Sequence, residues 1–319
     1  MKKLTLLLLA LLYVTLTYAY TERDLLQKQA DINRLKEILV LDRQWVTYPD
    51  YNDRAGWDRF LGTFKDEYIR RGEKRLNYQW QVVKATDYLA FERTGNRQIM
   101  EKPFGANNGA IADLLMAELA EGKGRFVDQL INGVFNACEM TSWALAAHII
   151  VQPSHRALPA YDYPVIDLTS GDLGGLLAWT YHFMRPSFDK VDPEISRRLR
   201  HELQTRILDP YMNNDSFWWM GRNYNGRMLN NWNPWCNSNA LMCFMLLEDN
   251  RDTLAKAVHL TMESVDKFLN YIKADGACEE GPSYWGHAAG KTLDYLELLS
   301  DITGDKVNIF NEPMIKNMG

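Results

Sequence analysis

The sequence predicts an all-α fold, on three observations. Apolar residues recur at helical spacing over most of the chain, strand-like alternation is nearly absent, and the segments between periodic runs are long and rich in Pro, Asn, Asp and aromatics. The best strand signal is the short YPVIDL at 163–168. The composition, 46% hydrophobic and 24% charged, is that of an ordinary globular protein. Its 36 basic and 41 acidic residues are interspersed, with a formal net charge of −5, so there is no basic face of the kind nucleic acid requires.

Residues 1–19 read as a secretory signal peptide: Lys2 and Lys3 precede an apolar run, and Thr17 and Ala19 have the spacing of a small-residue cleavage site. The run from 4 to 19 is short for a bilayer span. The mature chain, 20–319, is therefore expected to be secreted, in a bacterium to the periplasm, with no stable membrane insertion after cleavage. Helical patterns follow at 25–39, 64–88, 111–119 and 126–150. At 192–208, Asp192 can cap and Pro193 takes the first helical position, while Ile195, Leu199, Leu203 and Ile207 recur every four residues. A further helix is expected to begin near Asn239, capped by Asn237 or Ser238. At 252–272, Leu254, Val258, Met262, Val265, Leu269 and Ile272 follow one face, and 288–302 is a leucine-rich helix ending before Gly304.

The long connections at 151–169, 211–236 and 274–287 suit an α/α toroid, in which helical hairpins circle an axis and loops at one end line a cleft; a plain bundle has shorter connections. No exact repeat supports the toroid independently. Cys138, Cys236, Cys243 and Cys278 form no CxxC pair and read as small apolar residues. The six histidines contain no HxxxH or HExxH grouping, so neither a metal nor another cofactor is expected.

The stretch NYNGRMLNNWNPWCNSNALMCF at 223–244 concentrates asparagine and tryptophan, and Trp218, Trp219, Trp232, Trp235, Tyr284 and Trp285 all fall in the expected loops. A tryptophan face covers the apolar face of a sugar ring while Asn, Arg and Glu groups bond its hydroxyls. Trp232, Trp235, Trp285 and Asn230 are thus candidate sugar contacts, and Arg222 and Arg227 candidate grips for a carboxylate or sulfate. Glu139, in NACEMTSWALAAH, either pairs with an arginine or faces the cleft. Glu279 and Glu280 are either turn acids or, with Asp275 and Glu139, candidates for the acid and base pair of a glycoside hydrolase.

LNNWNPWCNSNAL, followed some forty residues later by DGACEEGPSYWGHAAG, resembles the toroid region of the heparinase II/III-like polysaccharide lyases. That family has an Asn-rich turn and then a DGxxxExxPxY-type segment carrying a catalytic tyrosine, and the likeness covers about residue 126 to the C-terminus. The resemblance implies an incomplete (α/α) toroid and a secreted enzyme acting by β-elimination on an acidic polysaccharide, heparan-like or alginate-like. It places Asn231 as the group that neutralises the uronate carboxylate, with Asn230, Asn233 and Asn237 as substitutes, and Tyr284 as the base or acid. Trp232 and Trp285 stand where many relatives have histidine; His287, three residues after Tyr284, can share its helix face. The family's C-terminal β-sandwich is expected to be absent from 20–319, which would make this chain the N-terminal part of a longer enzyme. Two other readings stand beside the lyase: a glycoside hydrolase on the same scaffold, and a truncated domain that binds glycan without cleaving it.

Overall fold

The computed structural model describes residues 22–223, 228–278 and 280–318, so the expected signal peptide, Arg227 and Glu279 lie outside the described residues. Among the described residues every regular element is helical and no strand occurs. In chain order the α-helices are α1 (Ile32–Ile38), α2 (Arg54–Leu61), α3 (Lys65–Glu73), α4 (Ala85–Thr94), α5 (Gln98–Glu121), α6 (Val127–Glu139) and α7 (Leu168–Val191). They continue as α8 (Pro193–Leu203), α9 (Asp209–Asn213), α10 (Trp232–Leu247), α11 (Arg251–Tyr271), α12 (Pro282–Ile302) and α13 (Pro313–Met318). The 163–168 segment is no strand; it runs extended into Asp167, which caps α7.

The chain divides into two compact units, one of Asp42–Asn214 with Met242–Asp249, the other of Met1–Leu41, Asp215–Leu241 and Asn250–Gly319. In the first, α5 is the central element, touched by α2, α3, α4, α6 and α7. Its apolar side chains Ile111, Leu114, Leu115 and Leu119 are buried. α3 approaches it closely at Gly72, where a Cβ would stand 2.2 Å from that of Ala117. The 192–208 helix forms as expected, with Asp192 accepting from the Glu194 N–H, Pro193 in the first turn and Ile195, Leu199, Leu203 and Ile207 all buried. It finishes as a π-helical turn, Gln204–Leu208, ahead of Pro210, which has no N–H to continue the ladder.

Two expected helices of this unit are shorter than their periodicity suggests. The 64–88 pattern breaks into α3 and α4, because side chains satisfy the backbone between them. Buried Asn107 exchanges hydrogen bonds with the Gln81 backbone at 3.0 and 2.8 Å, and Gln129 donates to the carbonyls of Leu76 and Tyr78. The 126–150 pattern stops at Glu139, where Arg198 and Arg206 donate to the terminal Cys138 carbonyl and the Trp143 indole to that of Ala137. Tertiary donors thus supply the helix end that local propensity does not mark.

In the other unit α1 packs on α11, whose Leu254, Val258, Met262, Val265 and Leu269 are buried as the spacing predicts. The 25–39 pattern yields helix only from Ile32, since four of the N–H groups before it go to α11 side chains. Asn270 takes those of Arg23 and Asp24, and Asp266 those of Leu26 and Gln27. Burial raises the Asp266 carboxyl from 3.8 to about 6, against the opposing pull of those N–H bonds. The folded chain therefore binds this proton more tightly than the unfolded chain between about pH 4 and 6. The contribution stabilises on acidification through that window and is lost as pH rises past it. Thermal unfolding at pH 5 and pH 7 tests this: Asp266→Asn is expected to shrink the gain in melting temperature that wild type shows on going to pH 5.

α10 and α12 start earlier than expected, at Trp232 and Pro282, so Asn237 and Ser238 lie inside a helix rather than capping one. Asn230 does the capping instead, its side chain accepting the Trp232 N–H at 3.1 Å. α10 is shared by the two units, through Leu241 in one and from Met242 in the other. Cys138, Cys236 and Cys243 are buried, Cys278 is partly exposed, and all four are free thiols. No helix among the described residues is long and apolar enough to cross a membrane.

Candidate functional site

The Asn-rich turn and the Tyr284 segment, far apart in sequence, meet at the N-terminal ends of α10 and α12. The bond between them is made by Glu280. Its Oε2 accepts the Asn231 backbone N–H at 2.7 Å and its Oε1 accepts from Asn231 Nδ2 at 2.8 Å. Asn231 is nearly inaccessible, and among the described residues nothing hydrogen-bonds its Oδ1. Glu280 is aimed by the backbone after it: Gly281 has φ 79°, a value side chains other than glycine's rarely allow, and Pro282 opens α12. The acid is thus neither a free turn residue nor a plain helix cap.

One turn into each helix a second contact forms. Trp235 of α10 stacks on His287 of α12, with ring centroids 5.4 Å apart and planes 23° from parallel. His287 lies 6.0 Å from the Tyr284 ring, and Lys291, one turn further on, holds its ammonium 5.3 Å from the centre of Trp235. Tyr284, His287 and Lys291 therefore share one face of α12. Tyr284 and His287 are exposed and Trp235 is partly so, which leaves the phenol open to a ligand. Lys291 is a site residue that the sequence marks only by its seven-residue spacing from Tyr284.

The remaining asparagines have structural positions. Asn233 is fully buried and its Nδ2 donates to the carbonyl of Trp219 at 2.7 Å and to Ser264 O and Oγ at 2.9 and 3.1 Å. Asn237, also buried, donates to Ser264 Oγ at 2.8 Å and to the Asn233 carbonyl at 2.7 Å. These two hold α10 against α11, and Asn230 caps. Asn231 and Asn233 each keep a buried Oδ1 with no hydrogen-bond partner among the described residues, and of the two Asn231 is the one bonded to Glu280 at the junction.

The tryptophans sort in the same way. Trp218, 43% exposed, lies against Trp232 with centroids 5.4 Å apart, giving a partly open aromatic pair. Trp219 is buried and stacks on Phe217. The Trp285 indole donates to the Met318 carbonyl at 3.1 Å, which ties it to α13. Arg222 is ion-paired with Asp215 at 2.8 Å beside a cavity of about 270 Å³ that also includes Glu263 and Lys267. Glu139, in the other unit, ends α6 and pairs with Arg198 at 3.2 Å, so of its two readings the arginine partner is the one observed. Among the described residues no three His, Cys, Asp or Glu side chains converge as a metal site would need. No protein-family model matches the chain, and no curated protein matches it significantly.

Proposed function

We propose that this protein is a secreted polysaccharide lyase that cleaves a uronic-acid polymer by β-elimination, on an incomplete (α/α) toroid. The observation that carries the reading is the pair of Glu280–Asn231 hydrogen bonds, which join the asparagine turn to the tyrosine segment at one place. Around that junction stand the groups that elimination requires: an accessible phenol, an imidazole beside it, a cation and aromatic surfaces for sugar rings.

The chemistry breaks the C5–H and C4–O bonds of the uronate and forms the C4–C5 double bond. Tyr284 takes the C5 proton and returns a proton to the departing glycosidic oxygen, one group serving as base and then acid. His287, in contact with the Tyr284 ring, is the positioning partner. The negative charge that grows on the carboxylate oxygens has to meet a donor or a cation. The open Trp218–Trp232 pair offers apolar faces to the chain on either side of the scissile bond.

Digestion of a panel of acidic polysaccharides tests the reading. The expected result is ultraviolet absorbance from the unsaturated uronate product. New reducing ends without that absorbance would assign the site to hydrolysis, and binding without either product would assign it to glycan recognition alone.

A further inference from the structure

We propose that Lys291 recognises the uronate carboxylate, the role for which the family resemblance nominates Asn231. The inference rests on the lyase reading and names the substrate contact of that same site. Its starting point is the state of Asn231. The amide already donates to Glu280 Oε1 at 2.8 Å, and the other carboxylate oxygen takes the backbone N–H. A substrate carboxylate brought to that amide would stand beside a second carboxylate, and like charges at such distances disfavour one another. An uncharged donor already shared with one carboxylate is a poor neutraliser for another. Asn231 keeps two unused valences: its buried Oδ1, an acceptor that suits a sugar hydroxyl or an amide N–H, and a second Nδ2 hydrogen, on the same nitrogen that already serves the Glu280 carboxylate.

Among the described residues, the cation on this face of α12 is Lys291. It lies two turns along α12 from Tyr284, on the helix face that Tyr284 and His287 share. Trp235 holds it there: the ammonium is 5.3 Å from the ring centre, a cation–π distance, while His287 stacks on the same indole. Its ion-pair partner is Asp294, 3.2 Å away with a side chain 58% exposed. Such exposed pairs are worth little, so a ligand carboxylate can take the place of Asp294. Elimination places growing charge on that carboxylate, so an ammonium beside it stabilises the transition state more than the ground state. Lys291 is thus a specificity residue that acts on turnover as well as on binding.

The test uses the intact chain, with tetrasaccharides of heparosan, hyaluronan and alginate as probes, each also prepared with its carboxylates reduced to primary alcohols. Calorimetry reads affinity. Wild type is expected to prefer the acid over the reduced form of its best probe by about tenfold or more, the scale of a charge-assisted hydrogen bond. Lys291→Met is expected to bring the acid form down to the affinity of the reduced form and to leave the reduced form unchanged. Lys291→Arg is expected to keep most of the preference. A preference that survives in Lys291→Met overturns the proposal, as does an equal loss for both forms, which marks a packing role. A wild type that binds none of the probes, or does not distinguish the two forms, overturns it as well. The lyase reading fails separately: if the preference depends on Lys291 while wild type yields no unsaturated product, the site recognises uronates without eliminating.

Discussion

Replacing Tyr284 with phenylalanine is expected to lower kcat for formation of the unsaturated product by about 10²–10⁴-fold, the range that a positioned general acid or base contributes. The change removes one oxygen and keeps the ring, so the contact with His287, at 6.0 Å between centroids, is retained. Tyr284 is 49% exposed in the first turn of α12, and no core packing depends on its hydroxyl. The melting temperature is therefore expected to stay within a degree or two of wild type, surface substitutions of this kind being nearly neutral. KM is expected to move much less than kcat, because a proton-transfer group acts on the transition state. Wild-type turnover in Tyr284→Phe would remove the tyrosine from the mechanism.

The second large effect is on stability. Asn233→Ala withdraws a fully buried amide from the carbonyls of Trp219 and Ser264 and from Ser264 Oγ. A buried acceptor left without a donor costs about 1–3 kcal/mol; the Trp219 carbonyl is the one so left, since Ser264 O lies inside α11 and keeps its helical partner and Ser264 Oγ retains its bond from Asn237. The expected total is about 2 kcal/mol, which lowers the melting temperature of a chain of this size by a few degrees. Differential scanning calorimetry reads it directly. Asn231→Ala, by contrast, is expected to move turnover more than melting. An unchanged melting temperature in Asn233→Ala would show that those carbonyls find other donors.

The helices that were legible in the sequence are those whose order comes from their own residues. In α8, Asp192 and Pro193 mark the start and a four-residue apolar spacing marks the face; α11 shows the same face over a longer run. What periodicity misplaces is decided by distant side chains. Asn107 and Gln129 dissolve the middle of the 64–88 pattern, and Arg198 and Arg206 end α6 from two turns of another helix. Such bonds have no local signature. In the site, residue type singled out the asparagines without ranking them. Asn231 and Asn233 are two positions apart, and the partners, Glu280 for one and Ser264 for the other, separate the amide at the junction from the one that braces α10 on α11. A lysine in a helix reads as a solvated charge, and the contact that sets Lys291 apart, with Trp235 of another helix, has no local sequence signature.

The junction at Gly281 bears on how such a site could be altered. The carboxylate that fixes Asn231 is aimed by a backbone turn that glycine alone adopts without strain, followed by a proline at the helix start. Lys291 sits on the finished helix, partly exposed, and takes no part in setting that turn. Frame and reader are consequently separate inheritances. On the proposed reading, substitutions at Lys291 would change how strongly an acidic sugar is preferred over a neutral one while the frame persists, whereas a side chain at Gly281 would strain the turn that aims Glu280. Selection for a new polymer would find its variation at the former position and tolerate little at the latter.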